Sequence, residues 1–318
     1  MSQSEQIKAI TEKLEEGIKD LFQSDTYKNY LDTLSRFPSY SFNNTLLIAM
    51  QKPDASLVAG YGTWKQANRY IKKGEKAIKI IAPCPYKKEV EKPVLDKDGK
   101  AIIGPDGKEL TEKAEQQYLS FTVVNVFDIS QTEGEPIEIA HKLDMSVDGY
   151  DDFMEALKRF SPVPIEMQPI SGAANGYYDL LDKKIVIDSD MSEAMHCKTG
   201  LHEISHALLH DRDTGSEKDN MPDTRTREVQ AESIAYTIAN YYGLNTEEYS
   251  FGYVAGWSST KEIPELKASM TVIQETAQQM IKGIDEKLEE IRMEKGLSLS
   301  DAKEMKHGKE RKHFSRRR

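Results

Sequence analysis

The chain has 318 residues, enough for two domains with separate cores, and its 38% apolar and 30% charged residues mark a globular protein near the polar end of the range. No run approaches the roughly 18 apolar residues of a membrane span, and the first twenty residues form a charged helical pattern unlike a signal peptide, so no membrane partner is expected. Two cysteines, Cys84 and Cys197, exclude a disulfide scaffold and fit a reducing cytoplasm.

The net charge of −10 speaks against nucleic acid only while it is undivided. Residues 1–130 carry 19 Lys/Arg against 18 Asp/Glu, residues 131–305 carry 17 against 34, and residues 306–318 carry 7 against 1. An acidic middle therefore lies between a neutral front and a basic end.

In chain order, residues 4–24 form an amphipathic helix, with Ile7, Ile10, Leu14, Ile18 and Leu21 at spacings of three and four. A second helix is expected over 44–51, ended by Pro53, and a third over 63–71, closed by the Lys72-Lys73-Gly74 turn. Residues 77–81 and 119–127 are β-rich. Between them, turn signals at Asp96–Gly99 and Gly104–Gly107 predict a hairpin excursion; Asp96 and Asp98 lack the chelating Glu that a calcium loop needs. Residues 131–142 read as a linker. Beyond it come a helix over 150–160, a short strand over 184–188 that is expected at a sheet edge, and a helix over 192–210 capped by Ser192. A further helix over 223–242 is capped by Asp223 or Thr224 and stopped by Gly243, and residues 261–292 are helical with one or two breaks.

Within the front, residues 65–88 carry Lys65, Arg69, Lys72, Lys73, Lys76, Lys79, Lys87 and Lys88 against Glu75 alone. Trp64, Tyr61, Tyr70 and Tyr86 are interleaved with these cations. Single-stranded nucleic acid needs cations along its phosphates and aromatic faces under its bases, and this strip offers both. The competing reading makes Trp64 and Tyr70 core residues of a helix whose lysines face water. Tyr40, Asn43 and Asn44 are weaker candidates, because Asn-Asn before an apolar run also serves as a helix cap.

The strongest chemical signal is His202-Glu203-Ile204-Ser205-His206. Residues four apart stand one above the other on a helix, so both imidazoles can reach one ion. Zinc lowers the pKa of a coordinated water to about 7, and Glu203 can then take its proton as general base. A third protein ligand is required. Glu228 and Glu232, four apart on the next helix, repel each other unless a cation sits opposite; Glu228 is assigned as the ligand and Glu232 as acceptor for a ligand histidine N–H. Exchanged roles, or a solvated surface pair, remain open at this point. His210 extends the histidine face by a turn, but a third ligand from one helix strains tetrahedral geometry, and it is read as a packing residue at the helix end. An extended peptide could add to the 184–188 strand over the metal.

These residues resemble a known group. His202-Glu-Ile-Ser-His-Ala-Leu-Leu-His210, followed by Glu228-Val-Gln-Ala-Glu-Ser-Ile-Ala235, is similar to the zincin metallopeptidase module of the ImmA/IrrE type. There the first Glu of the second helix is the third ligand, here Glu228, and a second acid as in gluzincins, here Glu232, supports a histidine. Tyr40-Ser-Phe-Asn-Asn-Thr-Leu-Leu-Ile48, Thr63-Trp-Lys-Gln-Ala67, Lys73-Gly-Glu-Lys76 and Val126-Phe-Asp-Ile-Ser-Gln-Thr132 resemble the N-terminal domain of ArdC-like, or LtrC-like, antirestriction proteins. The resemblance implies a front domain that binds single-stranded DNA, a zinc-bearing back domain, and action when conjugative DNA enters a host.

The expected class is therefore α+β: an N-terminal α/β DNA-binding domain over 1–135, a mainly helical zincin-like domain with a small sheet over 143–295, and a basic tail over 296–318. Two alternatives stand beside an antirestriction protein. One is a metallopeptidase that cleaves a repressor or restriction protein; the other is a non-enzymatic, zinc-stabilised protein that shields DNA.

Overall fold

A computed structural model describes residues 2–94, 96, 97, 100–104, 107, 109–137, 147–211, 221–246 and 249–296. Asp98, residues 138–142 of the expected linker with His141, and residues 297–318 of the tail lie outside the described residues. The chain mixes helix and sheet, as an α+β class requires. It divides into two compact units, Met1–Gly17 with Val58–Glu135 and Ile18–Leu57 with Pro136–Arg318. No helix among the described residues is long and apolar enough to cross a membrane.

The chain opens with α1 (Gln3–Leu21), whose Ile10 and Leu14 are buried. In the first unit, β1 (Val58–Gly60) leads into the short α4 (Tyr61–Gln66) and β2 (Arg69–Ile71). The helix expected over 63–71 is thus cut in two: Asn68 takes a left-handed φ of 54°, which stops the helix, and the residues after it pair with β5 (Thr132–Gly134). The 77–81 and 119–127 runs belong to longer strands, β3 (Ile78–Pro93) and β4 (Thr111–Asp128), antiparallel along their whole length with Ile78 opposite Val126 and Pro93 opposite Thr111. Together they form the expected hairpin, and β1 adds to β4 on its other side.

The second unit takes in α2 (Ser24–Arg36) and α3 (Phe42–Gln51), so residues 18–57 of the span 1–135 belong to the second unit. The reason is apolar. Tyr27, Tyr30, Leu31 and Leu34 are fully buried on one face of α2, which lies against α7 (Thr224–Tyr242). Polar contacts fix the register: Tyr27 Oη is 2.7 Å from Ser233 Oγ, and Asp32 Oδ1 accepts from Tyr236 Oη at 2.5 Å and Asn240 Nδ2 at 2.9 Å.

The same unit contains a three-stranded sheet of β6 (Ile165–Gln168), β7 (Gly176–Asp179) and β8 (Lys184–Asp188) in the order β6-β8-β7. β8 is therefore central rather than at an edge. Its Ile185, Val186 and Ile187 are all fully buried, and it pairs with β6 in parallel and with β7 antiparallel. Helices α5 (Val147–Phe160), α6 (Glu193–Leu209), α8 (Val254–Ser258) and α9 (Ile263–Glu294) complete the unit. α9 runs unbroken for 32 residues, because buried Leu266, Met270, Ile273, Ala277, Met280, Ile284 and Leu288 keep one continuous stripe against α5 and α7.

α7 is held at both ends. Gly243 closes it in the left-handed region at φ 79°, and the Asp223 carboxylate accepts from Thr226 N at 3.0 Å and from Thr226 Oγ1 at 2.8 Å. The Lys261 ammonium at 2.6 Å, with these cap bonds, holds Asp223 well below the usual carboxylate range. Asp223→Ala is expected to cost about 1 kcal/mol in denaturant unfolding at neutral pH, the ordinary worth of such a cap. Since the folded value lies below the unfolded one, the stabilisation is fully present above pH ~4 and fades as pH falls; a wild-type–variant difference that does not shrink on acidification contradicts the assignment.

Candidate metal centre

α6 begins at Ser192, whose hydroxyl accepts from Met195 N at 3.4 Å, and buries Cys197, Leu201 and Ile204. With that face inward, His202 and His206 point to the side where α7 packs against α6. His202 Nε2 and His206 Nε2 stand 3.1 Å apart, and the Glu228 carboxylate reaches each of them at 3.6 Å. Glu232, a turn further along α7, instead meets His202 Nδ1 at 3.2 Å. The spacing alone leaves the roles of the two acids open; the structure puts Glu228 opposite both Nε2 atoms and Glu232 on the far nitrogen of one ring.

One atom from each of His202, His206 and Glu228 lies within 4.8 Å of the others, so the three could hold an ion. The donor set fits zinc. Bonds of ~2.0–2.1 Å in a tetrahedron place ligand atoms about 3.4 Å from one another, close to the separations of 3.1 and 3.6 Å observed. The electrostatics ask for a cation as well. Burial disfavours a charged His202, yet hydrogen bonds to Glu228 and Glu232 and the charge of Glu203 push its imidazole up to about 10. Hydrogen bonds from His202 and His206 hold Glu228 well below the ordinary carboxylate range.

Glu203 is nearly buried beside the pair. Its burial raises the carboxyl pKa, while the charges of His202 and His206 and a hydrogen bond from the Tyr178 backbone N–H act the other way. It lines a cleft of about 270 Å³ together with Asn175, Gly176, Lys198, Thr199 and His202. Gly176 starts the edge strand β7, and a Cβ there would stand 2.5 Å from Thr199 Cγ2 and 2.8 Å from the Val186 carbonyl, so only glycine lets β7 approach α6 this closely. The edge strand beside the cleft is therefore β7, not β8. β7 and Lys198 carry no spacing signal that sequence reasoning could use.

His210 is also deeply buried and caps the C-terminus of α6. Burial pushes its imidazole down to about 4, against a hydrogen bond to Gln230 that favours the charged form. More than packing holds it: it touches His206 and Gln230, a residue that sequence spacing alone does not single out.

In the first unit, Trp64 is only 2% exposed and its Nε1 donates to the Phe127 carbonyl at 2.9 Å. It is a core residue of α4 and offers no ring face to a base. The Arg69 guanidinium is spent on Thr132 Oγ1 at 2.8 Å and on the carbonyls of Thr132, Gly134 and Glu135. Lys72 donates to the Ser130 carbonyl at 2.8 Å but is exposed, as are Lys65, Lys73, Lys76 and Lys79. The exposed rings are Tyr61, Tyr70, Tyr86 and Phe121. Tyr40, Asn43 and Asn44 fall in the other unit, where Ser41 rather than an asparagine caps α3.

Residues 2–127 match the N-terminal domain of anti-restriction factor ArdC, and residues 163–281 match the IrrE N-terminal-like domain. The chain joins an ArdC-type domain to an IrrE-like domain. An uncharacterized Bacillus anthracis protein is 28% identical over 323 residues, covering 92% of this chain and 53% of that protein, so the chain spans about half the length of this curated relative. Crystal structures of the antirestriction ArdC protein from the R388 plasmid are similar at 18% identity and TM-score 0.46 (metal-free) and at 17% and 0.44 (Mn(II)-bound). They cover 78% and 77% of this chain and 85% and 84% of theirs. The two histidines and both glutamates lie within the IrrE-like match, and the basic strip lies within the ArdC-type match.

Trp64→Ala is expected to destabilise the first unit by about 3–5 kcal/mol, the cost of emptying a buried indole site, whereas Tyr70→Ala, 53% exposed, stays within ~0.5 kcal/mol. Equal losses in thermal or denaturant unfolding contradict this division between core and surface.

Proposed function

We propose that the chain is an antirestriction-type protein of a mobile element, with a front unit that binds single-stranded DNA and a back unit that carries a zinc metallopeptidase centre. The observation that carries the second half is the convergence of His202, His206 and Glu228 from two helices, with Glu203 buried beside them and Glu232 behind His202. A bound zinc would supply Lewis-acid activation of water and of a scissile carbonyl. Glu203 is the proton acceptor: its carboxylate faces the cleft, and burial raises its pKa towards the range useful to a general base. Glu232 holds His202 in the orientation that turns Nε2 inward.

The substrate class that fits is an extended peptide. β7 is the outer strand of its sheet and borders the cleft, so its backbone can pair with a segment lying over the histidines. The IrrE-like match supports this reading, and the −17 charge of residues 131–305 favours a protein over DNA as occupant of this cleft. Glu203→Gln is expected to keep the metal and to lose cleavage of any peptide that the wild type cuts, by 100-fold or more (order of magnitude from general-base contributions). Unchanged turnover excludes Glu203 as the base. Retained metal without wild-type cleavage of any peptide favours the non-enzymatic reading.

For the front unit, support comes from the ArdC-type match and from exposed Lys65, Lys72, Lys73, Lys76 and Lys79 alongside exposed Tyr61, Tyr70 and Tyr86. Trp64 and Arg69 leave the DNA-contacting set for the structural roles described above. Replacing Lys73, Lys76 and Tyr70 by Ala together is expected to weaken binding of a single-stranded oligonucleotide and to flatten its log–log salt dependence by about 0.7 for each phosphate that is no longer neutralised. An unchanged slope places the DNA elsewhere.

A further inference from the structure

The two histidines of the centre are held from behind in different ways. His202 Nδ1 faces a carboxylate, Glu232, at 3.2 Å. His206 Nδ1 faces another imidazole: His210 Nδ1 lies 2.9 Å away, and the far nitrogen of His210 is 3.0 Å from Gln230 Oε1. Gln230 is itself oriented, because its Nε2 donates to Ser269 Oγ at 3.4 Å.

The Gln230 amide sets the proton direction in this row: its Nε2 lies at Ser269 Oγ and its Oε1 at His210 Nε2, and an amide oxygen only accepts. His210 must therefore donate from Nε2. Its ring is buried and meets an amide rather than a carboxylate, so it stays neutral and carries no second proton. Nδ1 of His210 is then a bare acceptor, and the 2.9 Å contact is a hydrogen bond only if His206 donates from Nδ1. A neutral His206 with its proton on Nδ1 has a free lone pair on Nε2, the atom that faces His202 and Glu228.

We infer that His210 and Gln230 are positioning residues of the metal centre, a buried relay that locks His206 in the Nδ1–H tautomer and keeps its Nε2 open to the ion. The inference rests on the metal-centre reading of His202, His206 and Glu228. It gives the centre one charged and one neutral support. Glu232 strengthens His202 as a donor, while the His210–Gln230 row fixes His206 without adding a further carboxylate to a site that already holds Glu203, Glu228 and Glu232.

The test is zinc affinity of the full chain, measured by competition with a chromophoric chelator, for wild type, His210→Phe, His210→Asn and Gln230→Leu. Phe fills the space and cannot accept a hydrogen bond; Asn presents an oxygen near the Nδ1 position. Loss of a supporting partner of this kind weakens metal binding about 10–100-fold, which is the expectation for His210→Phe, with a smaller loss in Gln230→Leu and affinity close to wild type in His210→Asn. The d–d spectrum of the cobalt-substituted chain is expected to change in His210→Phe and to be restored in His210→Asn. His210→Phe binding zinc as tightly as wild type, or Asn and Phe losing affinity alike, overturns the relay. If His210→Phe does not fold, wild-type affinity in Gln230→Leu overturns it equally. A wild-type chain that binds no zinc overturns the metal-centre reading itself, a result distinct from either of these.

Discussion

Two carboxylates one helical turn apart on α7 repel each other, and the second unit keeps them together by setting two imidazoles of α6 opposite them. Much else in the unit follows from that pairing. α6 and α7 must pack closely enough for Glu228 to span both Nε2 atoms, and the small, fully buried Ala231 and Ala235 share the face of α7 that carries Glu228 and Glu232. The far side of α7 is then braced by α2 through Tyr27, Asp32, Tyr236 and Asn240, and by α9 through its buried stripe. Buried polar groups beside a charged centre are costly unless they have partners. Here Glu232 meets His202, and His210, Gln230 and Ser269 follow in series behind His206.

The cleft beside the centre depends on a second constraint, the close approach of β7 to α6. Glycine at position 176 permits it, and Tyr178, two residues on, turns its backbone N–H to Glu203 while its hydroxyl donates to Asp211 at 2.6 Å. One short strand thus borders the opening and orients the buried carboxylate.

Local signals made part of this architecture legible. The caps at Ser192 and Asp223, the stop at Gly243, the strand Lys184–Asp188 and the spacing of the histidines and glutamates are each set within a few residues, and the structure places α6, α7 and β8 accordingly. What escaped depends on partners far away in sequence. Helix α2 goes unread in the sequence: no side chain caps its start, and its Tyr27, Tyr30, Leu31 and Leu34 are fixed by packing on residues two hundred positions later. The periodicity around Trp64 fits a groove as well as a core, and only the bond to the Phe127 carbonyl decides it. Strand order is equally non-local, so β8 read as an edge until β6 and β7 flanked it. His210 read as packing because its second partner, Gln230, belongs to a different helix.

The metal is the point on which the functional reading stands. Zinc content of the purified full chain, wild type beside the His206→Ala/Glu228→Ala double variant, measures it most directly. About one zinc per wild-type chain and none in the variant is the expected result. A folded wild-type chain that takes up no zinc, or a double variant that holds it equally tightly, contradicts the centre described above.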